Sequence, residues 1–392
     1  MQRPERFLNG LSPEEFLRDY WQQRPLLCRG ALTGYCPPLD QDELAGLALE
    51  AEVESRIVET RGWSLRRGPF AAELFDELGE RDWTLLIQDL DQHVPEVGEL
   101  LGLLDFLPSW RVDDVMASFA ATGGSVGPHY DQYDVFLLQV EGERHWQISE
   151  HFDRARLEDS ELCILSDFQA EAEWTLGPGD LLYLPPGVAH FGVARSPCVT
   201  YSLGCRAPSV GDVVRQLVSL RLEQLHESGA GEAKRYRDPE LAPQSPLAHA
   251  PGAISSAAIK QARGLLEQQL HFSDDELARG FAGLVTQPKA LFARDEIITL
   301  SGGELKRALR APSFVRRKGS RMAYAPVTEG HCFFVDGIER PLPAPNGVNQ
   351  QAFLERLCAR EALSWADVPT ETEHRDLFEG LVLTGDFEPS EK

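Results

Sequence analysis

The first pattern in the chain is a change of period. Phe16, Leu17, Tyr20 and Trp21 recur at helical spacing, which predicts an amphipathic helix. Ser12 as N-cap, Pro13 at the first helical position and Glu15 as the return acid form a capping box at its start. Pro25 is the expected stop. Residues 39–50 read as a second helix. From about residue 55 the runs shorten and become β-rich: Arg56 to Glu59, Trp83 to Gln88, Val115 to Phe119, Val135 to Val140, His145 to Ile148, Leu181 to Leu184 and Val199 to Gly204. Gly, Pro and Asp punctuate them. No helix-length periodic segment interrupts the strands between about 110 and 205. Short strands without interleaved helices predict an antiparallel sandwich or barrel.

After Pro208 the period returns to helical. Val210, Val214, Leu217, Val218, Leu222 and Leu225 mark one apolar face. Residues 229–252, with four prolines and several glycines, read as a long extended connection. Helices are then expected over 255–270 and 274–286, the second opening with a Ser273/Glu276 capping box. Exposed apolar faces on these helices either form a dimer interface or pack on the β domain. The last hundred residues predict a small α+β domain. It has a helix near 301–310, strands near 321–325 and 331–335, an Asp336-Gly337 turn, and a final helix near 349–361 with Asn349 as N-cap. Helix, hairpin and helix in this order resemble a winged-helix module.

Composition adds limits. A chain of 392 residues implies two or three domains at roughly 150 residues each. It has no apolar run of about 18 residues, and its start lacks the apolar core of a secretory signal. The seven cysteines (Cys28, Cys36, Cys163, Cys198, Cys205, Cys332 and Cys358) are odd in number, and no pair has CxxC spacing. Reduced thiols in a cytoplasmic protein are therefore expected. The formal net charge of −24 disfavours nucleic acid and membrane surfaces and favours a basic partner. One run opposes the trend: Lys306, Arg307, Arg310, Arg316, Arg317, Lys318 and Arg321 carry seven positive charges with no acid among them. It is read as a solvated or intramolecularly paired face.

The chemistry gathers around His129-Tyr130-Asp131 and His190. In a strand, His129 and Asp131 would share a face. Gly123, Gly124 and Gly127 before them permit tight turns. The run from Gly177-Pro178-Gly179-Asp180 through Leu181 to Leu184 and then Pro185-Pro186-Gly187 ends at His190. It resembles the half of a cupin-type barrel in which a turn brings a histidine beside the first ligand strand. Two imidazoles and a carboxylate leave three facial positions open, which favours Fe(II) over the more enclosed zinc sites. Asp114, Met116 and Ser118 share one face of the strand entering the site, as do Thr200 and Ser202 on a later strand. Such residues either bind ligands or simply line the barrel.

Four segments carry a family resemblance: Pro128 to Phe136, Gly142-Glu143-Arg144-His145-Trp146, Pro178 to His190, and Tyr201 to Pro208, joined by the N-terminal Tyr20-Trp21 and Arg24-Pro25-Leu26-Leu27. With these the chain resembles the Jumonji-C family of 2-oxoglutarate oxygenases, and within it the bacterial ribosomal oxygenases that hydroxylate arginine. The resemblance implies a mainly β catalytic domain, a double-stranded β-helix of cupin-like Jumonji-C barrel type, over 1–208. A helical dimerisation region over 209–290 and a winged-helix α+β domain over 291–392 complete the implied plan. It further implies Fe(II) held by His129, Asp131 and His190, with 2-oxoglutarate and O₂ as cosubstrates and a homodimeric enzyme. The implied substrate is a basic ribosomal protein, large-subunit protein sixteen, hydroxylated on an arginine β-carbon. Arg144 matches the position of the arginine that holds the distal carboxylate of 2-oxoglutarate. Thr200 and Tyr133 are candidates beside the cosubstrate. Asp114, Met116 and Ser202 are candidates for the substrate, with Asp114 as a possible guanidinium acceptor. Two alternatives stay open: N-methyl demethylation at the same site, and a ribosome-binding module whose iron site has decayed. The intact triad and Arg144 count against decay.

Overall fold

The computed structural model describes residues 3–158, 160–233, 235–238, 252, 254–294, 299–342 and 349–390. They fall into two compact units, residues 1–207 and 208–392.

The first unit opens with the expected capped helix, α1 (Pro13–Asp19), in which Ser12 and Glu15 exchange both capping bonds. It ends before Pro25, because Tyr20 leaves the helical region and Gln22 takes a positive φ. That turn lays Trp21 against Phe136 and Tyr183. Helices α2 (Gln41–Leu47), α3 (Glu73–Leu78), α4 (Leu90–His93) and α5 (Pro95–Gly98) follow among the strands. The strands are β1 (Leu26–Cys28), β2 (Ser55–Glu59), β3 (Ser64–Arg67), β4 (Trp83–Ile87), β5 (Val112–Ala120), β6 (His129–Tyr130), β7 (Val135–Glu141), β8 (Arg144–Ser149), β9 (Ala172–Leu176), β10 (Leu181–Leu184), β11 (Ala189–Ala194) and β12 (Cys198–Cys205).

They form an eight-stranded sheet, β1-β10-β7-β12-β5-β4-β2-β3, and a four-stranded sheet, β6-β11-β8-β9. The expectation of a barrel is corrected here. Both sheets keep free ends in the strand order, so hydrogen bonding does not run round a closed ring. Closure is not needed to bury the apolar faces. Along β7 and β10, Phe136, Leu138, Leu181 and Tyr183 face a core shared with Phe7, Phe16 and Leu44, while Val135, Leu137, Leu182 and Leu184 face Trp146, Ile148 and Leu176 of the smaller sheet. Period two thus sends alternate side chains into two separate cores, and β10 and β12 are buried along their whole length.

One polar group is sunk into this packing. Asp134 is fully buried. Tyr183 donates its hydroxyl to Oδ1 at 2.6 Å, and Arg111 Nη2 and Gln22 Nε2 donate to Oδ2 at 2.8 and 3.2 Å. Burial raises the carboxyl above its usual range, against the pull of these donors. The network ties the N-terminal segment to the strand that follows Asp131.

In the second unit the helices are α6 (Val210–Glu227), α7 (Ala230–Ala233), α8 (Ser256–Gln269), α9 (Asp274–Val285), α10 (Gly302–Ala308), α11 (Asn349–Cys358) and α12 (Thr372–Leu383). The Ser273/Glu276 capping box is present, and Ser209 with Asp212 forms another. The strands are β13 (Ser313–Arg316), β14 (Met322–Val327), β15 (Gly330–Val335), β16 (Ile338–Arg340), β17 (Leu363–Ser364) and β18 (Phe387–Ser390). They make two three-stranded sheets, β17-β13-β18 and β14-β15-β16. Two expectations change. Residues 230–233 are helical where an extended connection was expected, and most of the rest of 229–252 lies outside the described residues. The helix from Asn349 is not the last element, because α12 buries Phe378, Leu381 and Val382 in the core of this unit. Within the basic run, Arg317 pairs with Asp336 at 2.7 Å. All seven thiols are free.

Replacing Asp134 by Ala leaves Arg111, only 13% exposed, without its counter-charge. The expected loss is about 3–5 kcal/mol of unfolding free energy, measured by urea denaturation. An unchanged midpoint would remove Asp134 from the list of groups that hold the first unit together.

Candidate metal centre

The three candidate ligands meet. His129, Asp131 and His190 each offer one ligand atom, and these atoms lie within 4.8 Å of one another. Strand β6 pairs antiparallel with β11, and the register sets His129 directly opposite His190. Their ring centroids are 4.3 Å apart. Asp131 follows the last residue of β6, and its Oδ2 lies 3.7 Å from His190 Nε2. The Pro185-Pro186-Gly187 turn does what its sequence suggested. Gly187 adopts φ +84, a conformation glycine takes without steric cost. Its N–H donates to the Asp131 carbonyl at 2.7 Å. The turn before one ligand therefore grips the backbone of another.

Both imidazoles are oriented in the same way. His129 Nδ1 lies 2.9 Å from the Gly127 carbonyl, and His190 Nδ1 lies 3.1 Å from the Val188 carbonyl. A carbonyl can only accept, so each Nδ1 carries the proton and each Nε2 keeps its lone pair for a metal. Burial, then the neighbouring His129, lowers the His190 pKa to about 4. The neutral, ligating form is thus the resting form. Two neutral nitrogens and a carboxylate on one side fit a divalent ion with open positions.

Arg144 is 5% exposed, an interior side chain. Nη1 donates to Ser118 Oγ at 3.1 Å, while Nε and Nη2 have no partner among the described residues. A buried guanidinium without an anion is costly, and two of the three nitrogens of this one have unused N–H donors among the described residues. Thr200 stands opposite Ser118 in the β12–β5 register, and its hydroxyl donates to Gln139 Oε1 at 2.8 Å. Met116 and Ser202 are likewise paired. The alternate residues Asp114, Met116 and Ser118 turn away from the core that holds Val115 and Ala117.

Asp114 is buried and already engaged. Gln88 Nε2 and the Asp89 N–H both donate to its Oδ2, and Arg56 donates to the Gln88 side-chain oxygen at 3.1 Å. Tyr133 is 43% exposed. Desolvation of its oxygen, then the Asp131 and Asp114 carboxylates, raise the hydroxyl pKa and keep it protonated. Sequence reasoning missed Gln139, Gln88 and the Asp134 network. An acid beside the apolar run Val135-Phe136-Leu137-Leu138 was the signal available for Asp134.

Residues 99–213 match the JmjC domain family. Two facing sheets and a His-Asp-His set agree with that match. Similar proteins include bacterial ribosomal oxygenases. The chain is 38% identical over 234 residues to the Escherichia coli ribosomal protein uL16 3-hydroxylase, covering 59% of this chain and 61% of that relative's length. It superposes on the E. coli ycfD structure with TM-score 0.79, 28% identity and 99% coverage of both chains. It also superposes on YcfD, a ribosomal oxygenase in complex with cobalt and 2-oxoglutarate, with TM-score 0.76, 28% identity and 96% and 98% coverage.

Gly187→Ala should cost about 1–2 kcal/mol through its left-handed backbone and weaken Mn(II) binding by up to roughly tenfold. Paramagnetic resonance of free Mn(II) reads this directly, and unchanged affinity would show that the turn does not set the ligands.

Proposed function

We propose that this protein is an Fe(II)- and 2-oxoglutarate-dependent hydroxylase that places a hydroxyl on the β-carbon of an arginine in ribosomal protein uL16. The observation that carries the reading is the pairing of a metal ligand set with a buried, unsatisfied arginine on adjacent strands: β8 holds Arg144 and pairs with β11, which holds His190. Likeness to a uL16 3-hydroxylase supplies the substrate.

In this reading His129, Asp131 and His190 hold Fe(II) through two Nε2 atoms and one carboxylate oxygen. When bound, Fe(II) with 2-oxoglutarate and O₂ supplies the oxidant, and the cosubstrate leaves as succinate and CO₂ while a C–H bond becomes C–OH. The protein's part is placement. Arg144 takes the distal carboxylate through Nε and Nη2, and Thr200 and Ser118 line the same pocket. Tyr133, Met116 and Ser202 shape the approach to the metal. Asp114, fixed by Gln88 and Asp89, offers a carboxylate to the entering guanidinium. The net charge of −24 speeds encounter with a basic ribosomal protein.

The second unit is proposed to dimerise and to carry a winged-helix-like domain over 291–392. Support comes from Val214, Leu222, Ile259 and Leu266, which stay exposed on α6 and α8. A second copy of the chain would cover them. Leu222→Asp should then yield monomers by light scattering, whereas monomeric wild-type protein would refute the dimer.

The decisive experiment incubates the full chain with Fe(II), 2-oxoglutarate and uL16, then sequences the product by mass spectrometry. One added oxygen on an arginine side chain is expected. Loss of a methyl group from a methylated peptide would identify a demethylase instead, and unchanged peptide without succinate would refute both. His129→Ala should abolish turnover. Arg144→Ala should raise the KM for 2-oxoglutarate at least tenfold, matching the loss of about 1.5–3 kcal/mol from hydrogen bonds to a charged group, with Mn(II) binding intact.

A further inference from the structure

The interior face of the smaller sheet has an ordered sequence of side chains. Ile148, Trp146 and Arg144 of β8 stand opposite His190, Gly192 and Ala194 of β11. Trp146 therefore occupies the step between the metal ligand and the buried guanidinium. Distances agree: its ring is 5.9 Å from the His190 ring, and Arg144 Cζ lies 5.8 Å from the Trp146 ring. The indole is 5% exposed, yet its Nε1–H has no acceptor among the described residues. Buried indole N–H groups ordinarily find one. Space for the ring is made by Gly192, where a Cβ would come within 2.7 Å of it. Three donors on these two neighbouring side chains thus lack an acceptor among the described residues: Arg144 Nε, Arg144 Nη2 and Trp146 Nε1. A carboxylate has two oxygens and about four lone-pair sites, enough for all three.

We propose that Trp146 is a binding residue for the cosubstrate, its ring walling the path from the metal to Arg144 and its Nε1–H donating to the distal carboxylate that Arg144 holds. This rests on the 2-oxoglutarate reading above. It also explains the pairing of a large residue with Gly192: any side chain there would push the indole out of line with the path.

The test is calorimetric titration of 2-oxoglutarate into the Mn(II)-loaded full chain. Trp146→Phe keeps an aromatic ring and removes the donor, and the 2-oxobutyrate control reads the effect of the smaller ring. It should weaken 2-oxoglutarate binding about tenfold, the size of one hydrogen bond to a charged acceptor, and leave Mn(II) affinity unchanged. 2-Oxobutyrate keeps the oxo acid end and lacks the distal carboxylate, so it should bind the variant and the wild type alike. Wild-type affinity for 2-oxoglutarate in the variant would overturn the proposal. So would equal losses for both oxo acids, or loss of Mn(II), since either makes the indole structural. Arg144→Ala is the reference. If it also binds 2-oxoglutarate like the wild type, the cosubstrate reading itself falls. If it loses binding while Trp146→Phe does not, only the role of Trp146 falls.

Discussion

The arrangement depends on a ladder only two residues long. Strand β6 is His129 and Tyr130, and its pairing with β11 sets one imidazole opposite the other. A two-residue strand buries too little to hold itself in place. Its position comes from bonds on either side. Leu165 N–H donates to the Pro128 carbonyl at 2.8 Å, and Gly187 N–H to the Asp131 carbonyl at 2.7 Å. A Cβ on Gly127 would lie 2.8 Å from Ile164, so the approach to the strand is tight as well. The metal geometry is thus fixed by backbone hydrogen bonds from three separate segments. Each histidine also spends its Nδ1 proton on a carbonyl of its own strand approach, which leaves no rotational freedom to lose when an ion binds.

Charge balance separates structural groups from functional ones in this chain. Asp134 is fully buried, and three donors satisfy it. Asp386 in the second unit is also fully buried, and Arg294, Arg340 and Thr384 converge on it. Both are closed accounts of charge, and their role is to fix packing. Arg144 is nearly as buried, but its one side-chain hydrogen bond among the described residues is to a serine hydroxyl, with the Trp146 ring beside it. A guanidinium in that condition is costly, and on the proposed reading the cosubstrate carboxylate offsets the cost.

Much of this is legible in the sequence. Capping boxes at Ser12 and Ser273 are local chemistry, and both helices begin where those residues dictate. The ligand triad was legible because a period-two pair and a glycine turn are also local. What was hidden is what depends on distant partners. Strand β1 is three residues long and exists by pairing with β10. Strand β9 alternates exposed and half-buried residues and is defined by β8. The barrel expectation overreached for the same reason, since a strand pattern says which faces are apolar and not whether the edges meet. Gln22 meeting Asp134 is invisible to any window of sequence. Asp114 shares a strand face with Met116 and Ser118 as the spacing predicts, but its carboxylate is anchored by Gln88, a residue with no motif around it.

An acidic protein proposed to hold a dianion faces a conflict. Net charge −24 repels 2-oxoglutarate at long range, and salt only partly screens it. Several surface arginines are already taken by acids. Arg66 pairs with Glu59 and Arg67 with Glu161, each within 3 Å. Placing Arg144 on the interior face of β8 keeps its charge away from the carboxylates that crowd the exterior. There the low local dielectric strengthens its pull on an anion, and the two side chains it is seen to meet, Ser118 and Trp146, are neutral. The outer face of the same sheet carries Glu173, with His145 and Gln147 beside it. The alternation of a single strand thus separates a polar outer face from the interior face that carries Arg144.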